Sequence, residues 1–325
     1  MKLENLEIKT SNDPQKAIIV TAGDSYLDID AYASCIAMRD LLVLQGENAI
    51  ACSNAPCNYS VAGFTVIEGD MLSEPPADFP KERAEYIVVD VSDPEYIKSS
   101  VPLDRVVKIY DHHTGFEDFW RCKIGTDANI EFIGAAATLV WREWKRSGLQ
   151  SKIRRSTALL MIAAILDNTL NLISKNTKNE DIVAFNELCM CAGVGNQWCE
   201  EYFSEVQKKV TDDLACALQN DVKSVSSGIL PSKIGQLCLW DAENVLEDAE
   251  KIGASLFSAE TWMINIIDLK QRLGYFICTD NDCKRKLEQV YGIRFEKSVA
   301  KLDFPILRKE IIKKALSYKE IGGQN

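Results

Sequence analysis

The chain has 325 residues, 46% of them apolar and 26% charged, the balance of an ordinary globular protein, and its length favours two domains over one core. A net charge of −11 argues against a surface that works by neutralising nucleic-acid phosphates, and no apolar run reaches the length of a membrane span. Met1 to Thr10 is polar and acidic, unlike a secretory signal, so a cytoplasmic location is expected.

Ala17 to Thr21 reads as a short strand that leads through Ala22-Gly23 into Asp24, Asp28 and Asp30. Asp30 to Val43 has a helical pattern ended by Gly46, and Asn48 to Cys52 is the next strand. Phe64 to Phe79, with Pro75, Pro76 and the following Pro80, reads as loop. Tyr86 to Val89 and Val106 to Tyr110 are apolar runs of the kind buried in parallel sheets, and they end in Asp90 and in Asp111-His112-His113. Ala135 to Ser147 is expected to be helical, with Trp141 and Trp144 as packing residues. The helix Thr157 to Ile165 leads into Asp167, and Glu180 to about Gln219 is mostly helical.

The texture changes after the polar segment Lys208 to Asp213. Strands are expected over Gly235–Trp240, Trp262–Asp268 and Gly274–Thr279, interleaved with helices over Ala242–Ser255 and Asp282–Tyr291. The fold class is therefore α/β: a mostly parallel sheet flanked by helices in residues 1–207, followed by a smaller mixed α+β domain in 208–325. The eleven cysteines, odd in number and without paired Cys-x-x-Cys spacing, read as buried, reduced thiols. Cys189-Met190-Cys191 is the tightest pair, and adjacent helical positions make it a poor chelate.

His112 and His113 are the only histidines in the chain, side by side at a strand end. Asp24, Asp28 and Asp30, then Asp90, then Asp167 likewise follow apolar segments. Side by side in one sheet, these segments would converge where open α/β sheets gather their ligands. Imidazole and carboxylates together suit hard or borderline cations such as magnesium or manganese. Any one aspartate after a strand is equally a helix N-cap, but the whole set with the histidine pair points to a metal site.

These residues resemble the DHH phosphoesterase superfamily, on the branch of family II inorganic pyrophosphatases, exopolyphosphatases and prune-like proteins. Ala22 to Ala31 is similar to the first motif, Val88-Val89-Asp90 to the second, Asp111-His112-His113 to the third and name-giving one, Gly134-Ala135-Ala136-Ala137-Thr138 to the glycine-led helix start after it, and Ala163 to Leu170 to the motif of the fourth aspartate. Leu307-Arg308-Lys309-Glu310 resembles the cationic signature of the second-type DHH-associated domain, and Lys233 aligns with a further substrate lysine.

The resemblance implies two divalent ions, manganese or magnesium with cobalt as an option, held by Asp28, Asp30, Asp90, His112 and Asp167, with Asp24 as an additional ligand and Asp90 as a bridge. It implies a catalytic role for Asp90 and His113, and phosphate contacts from His113, Arg308, Lys309 and Lys233, in an active site between the two domains. The expected partner is a small anionic phosphate substrate, not nucleic acid or membrane, with a homodimer left open. Asp24 and Leu27 stand where the first motif usually has histidine and proline, Val91 where a histidine often follows the second, and Leu307 where the signature has serine. These departures favour the broader exopolyphosphatase or pyrophosphatase-like class over a dedicated pyrophosphatase. Hydrolysis of a small organic phosphate ester or phosphonate-related metabolite, and a non-catalytic prune-like binding role, are the alternatives.

Overall fold

The computed structural model describes residues 17–24, 27–66, 68–226 and 228–322. The chain divides into two compact units, Met1–Gly195 and Asn196–Asn325.

In the first unit the order is β1 (Ala17–Thr21), α1 (Ile29–Leu44), β2 (Asn48–Ala51), β3 (Glu85–Val89), α2 (Pro94–Ile97), β4 (Val106–Asp111), α3 (Glu117–Ile124), β5 (Ala128–Ile130), α4 (Ala136–Arg146), α5 (Arg155–Asn168) and α6 (Asn179–Ala192). The five strands form one sheet in the order β2-β1-β3-β4-β5, every neighbouring pair parallel. All of β1 and most of β3 are buried, which is why their sequences are continuous apolar runs. Ile19, Tyr86, Val88 and Ile109 pack with Ile97, Val101 and Trp120 from the α2–α3 side. Helix α1 packs on β1 and β3 and is backed by α4 and α5.

Trp141 and Trp144 are buried, and Trp144 Nε1 donates to the Ala37 carbonyl at 3.0 Å, so both are packing residues as expected. Asp40 on α1 accepts from Arg154 Nε at 2.8 Å and from Thr157 Oγ1 at 2.6 Å, while Arg39 and Arg154 both reach Asp70, fastening the loop after β2 to α1 and α5. That loop is irregular as its prolines require, apart from short 3₁₀ turns at Gly63–Thr65 and Lys81–Arg83.

The second unit contains α7 (Gln197–Asp212), α8 (Leu214–Asn220), β6 (Lys223–Ser224), β7 (Lys233–Leu239), α9 (Leu246–Leu256), β8 (Trp262–Asp268), β9 (Leu273–Ile277), α10 (Asn281–Tyr291), β10 (Phe295–Glu296), β11 (Val299–Leu302) and α11 (Arg308–Gly322). The expected junction at residue 207 lies inside α7. The sheet runs β10-β11-β9-β8-β7-β6, with β7 and β8 parallel and the other pairs antiparallel. It is the mixed α+β unit the sequence indicated.

The cysteines depart from expectation. None of the eleven is in a disulfide, but Cys57, Cys122 and Cys191 are exposed, and Cys189, Cys216 and Cys238 are only half-buried. Cys189 and Cys191 lie in the last turns of α6, near a helix end where burial is incomplete. No described helix is long and apolar enough to cross a membrane.

Candidate metal centre

Three parallel strands and the start of α1 bring Asp28, Asp30, Asp90 and His112 together. Asp28 is the N-cap of α1, its Oδ1 accepting from Ala31 N at 2.9 Å, so the capping role and the cluster role fall on one residue. Two residues on, Asp30 is fully buried. Its oxygens accept from Ala136 N at 2.7 Å and Ala137 N at 2.8 Å, the first backbone donors of α4, and Ser34 Oγ lies 3.4 Å from Oδ1. These donors fix the carboxylate rotamer with the positive end of α4.

Asp90 follows the last residue of β3 in a left-handed conformation, φ 59°, anchored by its own N–H to the Tyr110 carbonyl at 2.8 Å. Aspartate tolerates this conformation better than most residues, and strained backbone of this kind clusters at functional sites. Asp90 caps no helix; α2 takes Asp93 as its N-cap instead.

His112 and His113 follow β4. The His112 Nδ1 lies 3.2 Å from the Ile133 carbonyl oxygen. A carbonyl only accepts, so Nδ1 carries a proton, and in the neutral tautomer Nε2 presents its lone pair. That Nε2 is 3.3 Å from Asp90 Oδ1 and 3.9 Å from Asp30 Oδ2. Both His112 Nε2 and Asp90 Oδ1 are buried with no hydrogen-bond partner. Buried polar atoms are nearly always satisfied, and a lone pair facing a carboxylate is repulsive until a cation sits between them. Asp90, His112 and His113 offer ligand atoms all within 4.8 Å of one another. The imidazole and carboxylate donors fit a borderline divalent ion such as Mn²⁺, and the His112–Ile133 bond is the outer contact that commonly orients a metal-binding imidazole.

The electrostatics agree. Burial, and to a smaller extent Asp28, raise the Asp30 carboxyl to about 6 despite the opposing pull of His112. Burial, then Asp30 and Asp28, push Asp90 well above the ordinary carboxylate range. Several acids held this close are costly without a positive charge.

His113 plays a different part. Its Nδ1 is 2.9 Å from Asp111 Oδ1, which also accepts from the His113 N–H at 3.0 Å. This hydrogen bond raises the imidazole pKa. Burial by itself would raise Asp111, but the hydrogen bond to His113 holds its carboxyl below the usual range. The name-giving Asp111 therefore orients His113 and favours its protonated form, leaving Nε2 free of this bond.

Asp24 and Asp167 come from two further segments of the first unit, the end of β1 and α5. Asp24 is exposed; its Oδ1 accepts from Asn54 N at 3.0 Å, and it lines a cavity of about 80 Å³ with Glu74, Lys81 and Ser100. Asp167 lies in the last turn of α5, half-buried, so its apolar run is a helix packed on α1 rather than a further strand of the sheet.

In the second unit Arg308 begins α11, and its guanidinium is buried against Asp221. Nη2 reaches Oδ1 at 3.0 Å, while Nη1 reaches Oδ2 at 3.1 Å, the Ile234 carbonyl at 3.2 Å and the Asp221 carbonyl. Lys233 Nζ donates to Ser224 Oγ at 2.9 Å and lies 3.5 Å from Glu260. Lys309 is exposed, and partial desolvation and the neighbouring Lys223 depress its pKa while Glu310 pulls the other way. The sequence reading missed Lys223, which sits in the two-residue strand β6, too short to leave a pattern. It also missed the backbone donors of Ala136 and Ala137, although Gly134-Ala135-Ala136-Ala137 marks a turn into a helix.

No protein-family model matches the chain. It is 24% identical over 314 residues to a probable manganese-dependent inorganic pyrophosphatase of Bacillus cereus, covering 90% of this chain and 96% of that one. A protein of the same description from Bacillus cytotoxicus is 25% identical over 319 residues, with the same coverage. Among solved structures, a protein of Methanococcus jannaschii assigned to the family II inorganic pyrophosphatases superposes with a TM-score of 0.59 at 18% identity, over 93% of this chain and 98% of that one. An exopolyphosphatase-related protein from Bacteroides fragilis gives 0.50 at 14%, over 96% and 94%. With Asp111-His112-His113 at the end of the fourth parallel strand and likeness over nearly its whole length, the chain is similar in sequence to manganese-dependent inorganic pyrophosphatases and shares the fold of a protein assigned to the family II inorganic pyrophosphatases.

Proposed function

We propose that this chain is a divalent-metal-dependent hydrolase of phosphoanhydride bonds, acting on inorganic pyrophosphate or short-chain polyphosphate. The observation that carries the proposal is the unpartnered pair His112 Nε2 and Asp90 Oδ1, 3.3 Å apart and buried. Likeness to manganese-dependent pyrophosphatases over 90% of the chain supports manganese as the ion and pyrophosphate as the first substrate to try.

Two such ions, held by Asp28, Asp30, Asp90, His112 and Asp167, would polarise phosphoryl oxygens and make water nucleophilic at neutral pH. The chain's own residues do the rest. Asp30 is held by the α4 amides and His112 by Ile133, so neither reorients when the ligand set closes. The hydrogen bond to Asp111 raises the His113 pKa and so favours the imidazolium, which suits a phosphate oxygen whose negative charge grows during transfer. Lys309 and Lys223 are further cations for an anionic substrate; Arg308, tied to Asp221, serves the start of α11.

The test is phosphate release from pyrophosphate, tripolyphosphate, long polyphosphate and a set of phosphomonoesters, each with manganese, magnesium and cobalt. Release from the anhydrides is expected, fastest with manganese. Release from the esters alone would overturn the substrate class, and silence on every substrate from a metal-loaded chain would overturn the enzyme reading in favour of a binding role.

A further inference from the structure

We propose that Asp181 is a positioning residue for the metal centre, acting through the turn of residues 133–138. The proposal rests on the metal-centre reading above.

Asp181 lies in the first turn of α6 and is fully buried. Its Oδ2 accepts from Lys178 N at 2.7 Å, which closes the N-terminus of its own helix. Capping explains that bond and no more. The same Oδ2 accepts from Gly134 N at 3.0 Å, 47 residues away in sequence, and Oδ1 accepts from Thr138 Oγ1 at 2.6 Å.

Between Gly134 and Thr138 lie Ala136 and Ala137, whose N–H groups hold Asp30, and just before Gly134 lies Ile133, whose carbonyl holds His112 Nδ1. One short segment thus orients two of the expected ligands, and Asp181 grips it on either side of the Asp30 donors. The fit is close. A Cβ on Gly134 would come within 2.5 Å of Asp181 Oδ2 and 2.6 Å of the Thr169 methyl.

The chemistry demands a carboxylate. Asp181 faces three donors and supplies only acceptors; an asparagine amide would turn N–H groups toward at least one of them. Groups that orient metal ligands from outside commonly change metal affinity 10- to 100-fold on mutation.

The experiment compares Mn²⁺ affinity and thermal unfolding for the full chain and four variants: Asp181→Asn, Thr138→Val, Thr138→Ser and, as a control, Asp268→Asn. Asp268 is also fully buried and accepts two backbone N–H groups, Ala242 at 2.9 Å and Gln271 at 2.7 Å, but in the second unit. Asp181→Asn is expected to weaken Mn²⁺ binding roughly 10- to 100-fold. Thr138→Val should weaken it less, and Thr138→Ser should restore it because the hydroxyl returns. Asp268→Asn should lower the melting temperature with Mn²⁺ affinity unchanged.

Wild-type Mn²⁺ affinity in Asp181→Asn, or an equal loss in the Asp268 control, would overturn the assignment alone. A wild-type chain that takes up no Mn²⁺ would overturn the metal-centre reading and this assignment with it. Should Asp181→Asn fail to fold, the contrast between the two Thr138 variants decides.

Discussion

His112 Nε2 and Asp90 Oδ1 stand 3.3 Å apart, and neither has a hydrogen-bond partner. Asp90→Asn replaces a charged oxygen donor with a neutral amide that can itself hydrogen-bond to the imidazole. The variant should lose Mn²⁺ binding by at least about 100-fold and nearly all turnover, while its metal-free form melts at or above the wild-type temperature, because a costly buried acid is gone. Calorimetric titration with Mn²⁺ and a melt of the metal-free protein check both halves. Retention of wild-type Mn²⁺ affinity would remove Asp90 from the ligand set.

The raised acids also set a pH dependence for the metal-free protein. Asp30 rises to about 6 from the ordinary 3.8, and Asp90 is likewise raised well above the ordinary carboxylate range, so the folded state holds protons that the unfolded state releases. Their penalty is absent below about pH 4 and grows as pH rises through about 6. His113, also raised, adds stability that is lost on the same upward path. Metal-free protein should therefore melt higher at pH 5.5 than at pH 7.5. Saturating Mn²⁺ should reverse the order, since carboxylates bound to a cation must be deprotonated. Differential scanning calorimetry at the two pH values, with and without Mn²⁺, reads the crossover.

Gly134 has no room for a side chain. Gly134→Ala should destabilise the first unit by about 1–3 kcal/mol, the usual cost of overpacking, because a buried carboxylate and a threonine methyl must both move. Chemical denaturation of the metal-free chain measures it, and a change within 0.5 kcal/mol, taken here as roughly the scatter of neutral surface substitutions, would show that the turn is looser than drawn.

Arg308 and Lys309 should separate cleanly. Arg308→Ala leaves the Asp221 carboxylate and the Ile234 carbonyl without their guanidinium donor, and because the Asp221 side chain is 40% exposed, water screens it and the loss should be about 1–3 kcal/mol. Lys309→Ala should leave stability unchanged within about 0.5 kcal/mol and raise KM for an anionic substrate. Thermal melts beside steady-state kinetics distinguish them. A KM effect of Arg308→Ala with no stability loss would restore it as a direct phosphate contact.

The frame of the first unit was legible because its strands are buried on both faces and write themselves as apolar runs, as in Ala17–Thr21 and Glu85–Val89. The ends of β3 and β4 followed from the same signal, and so did Asp90, His112 and His113. The helix expected over Thr157–Ile165 is α5, buried between α1 and α6; what does not hold is its place among segments lying side by side in one sheet. Three-residue β5 and the β10–β11 hairpin are too short to carry a period, and α3 is mostly charged and exposed apart from Trp120. The hydrogen-bond partners of Arg308 and Asp24 could not be read locally: each lies far along the chain, Asp221 in one case and Asn54 in the other.

The bonds from Ala136 and Ala137 to Asp30 join residues 106 and 107 positions apart. Closing so long a loop costs entropy before the contact returns anything, and long-range pairings of this kind form late. During refolding, α1 can form while Asp30 still lacks the donors that set its rotamer. Manganese uptake should then lag behind helix formation, and arrival of the ion would mark the completion of the first unit rather than start it.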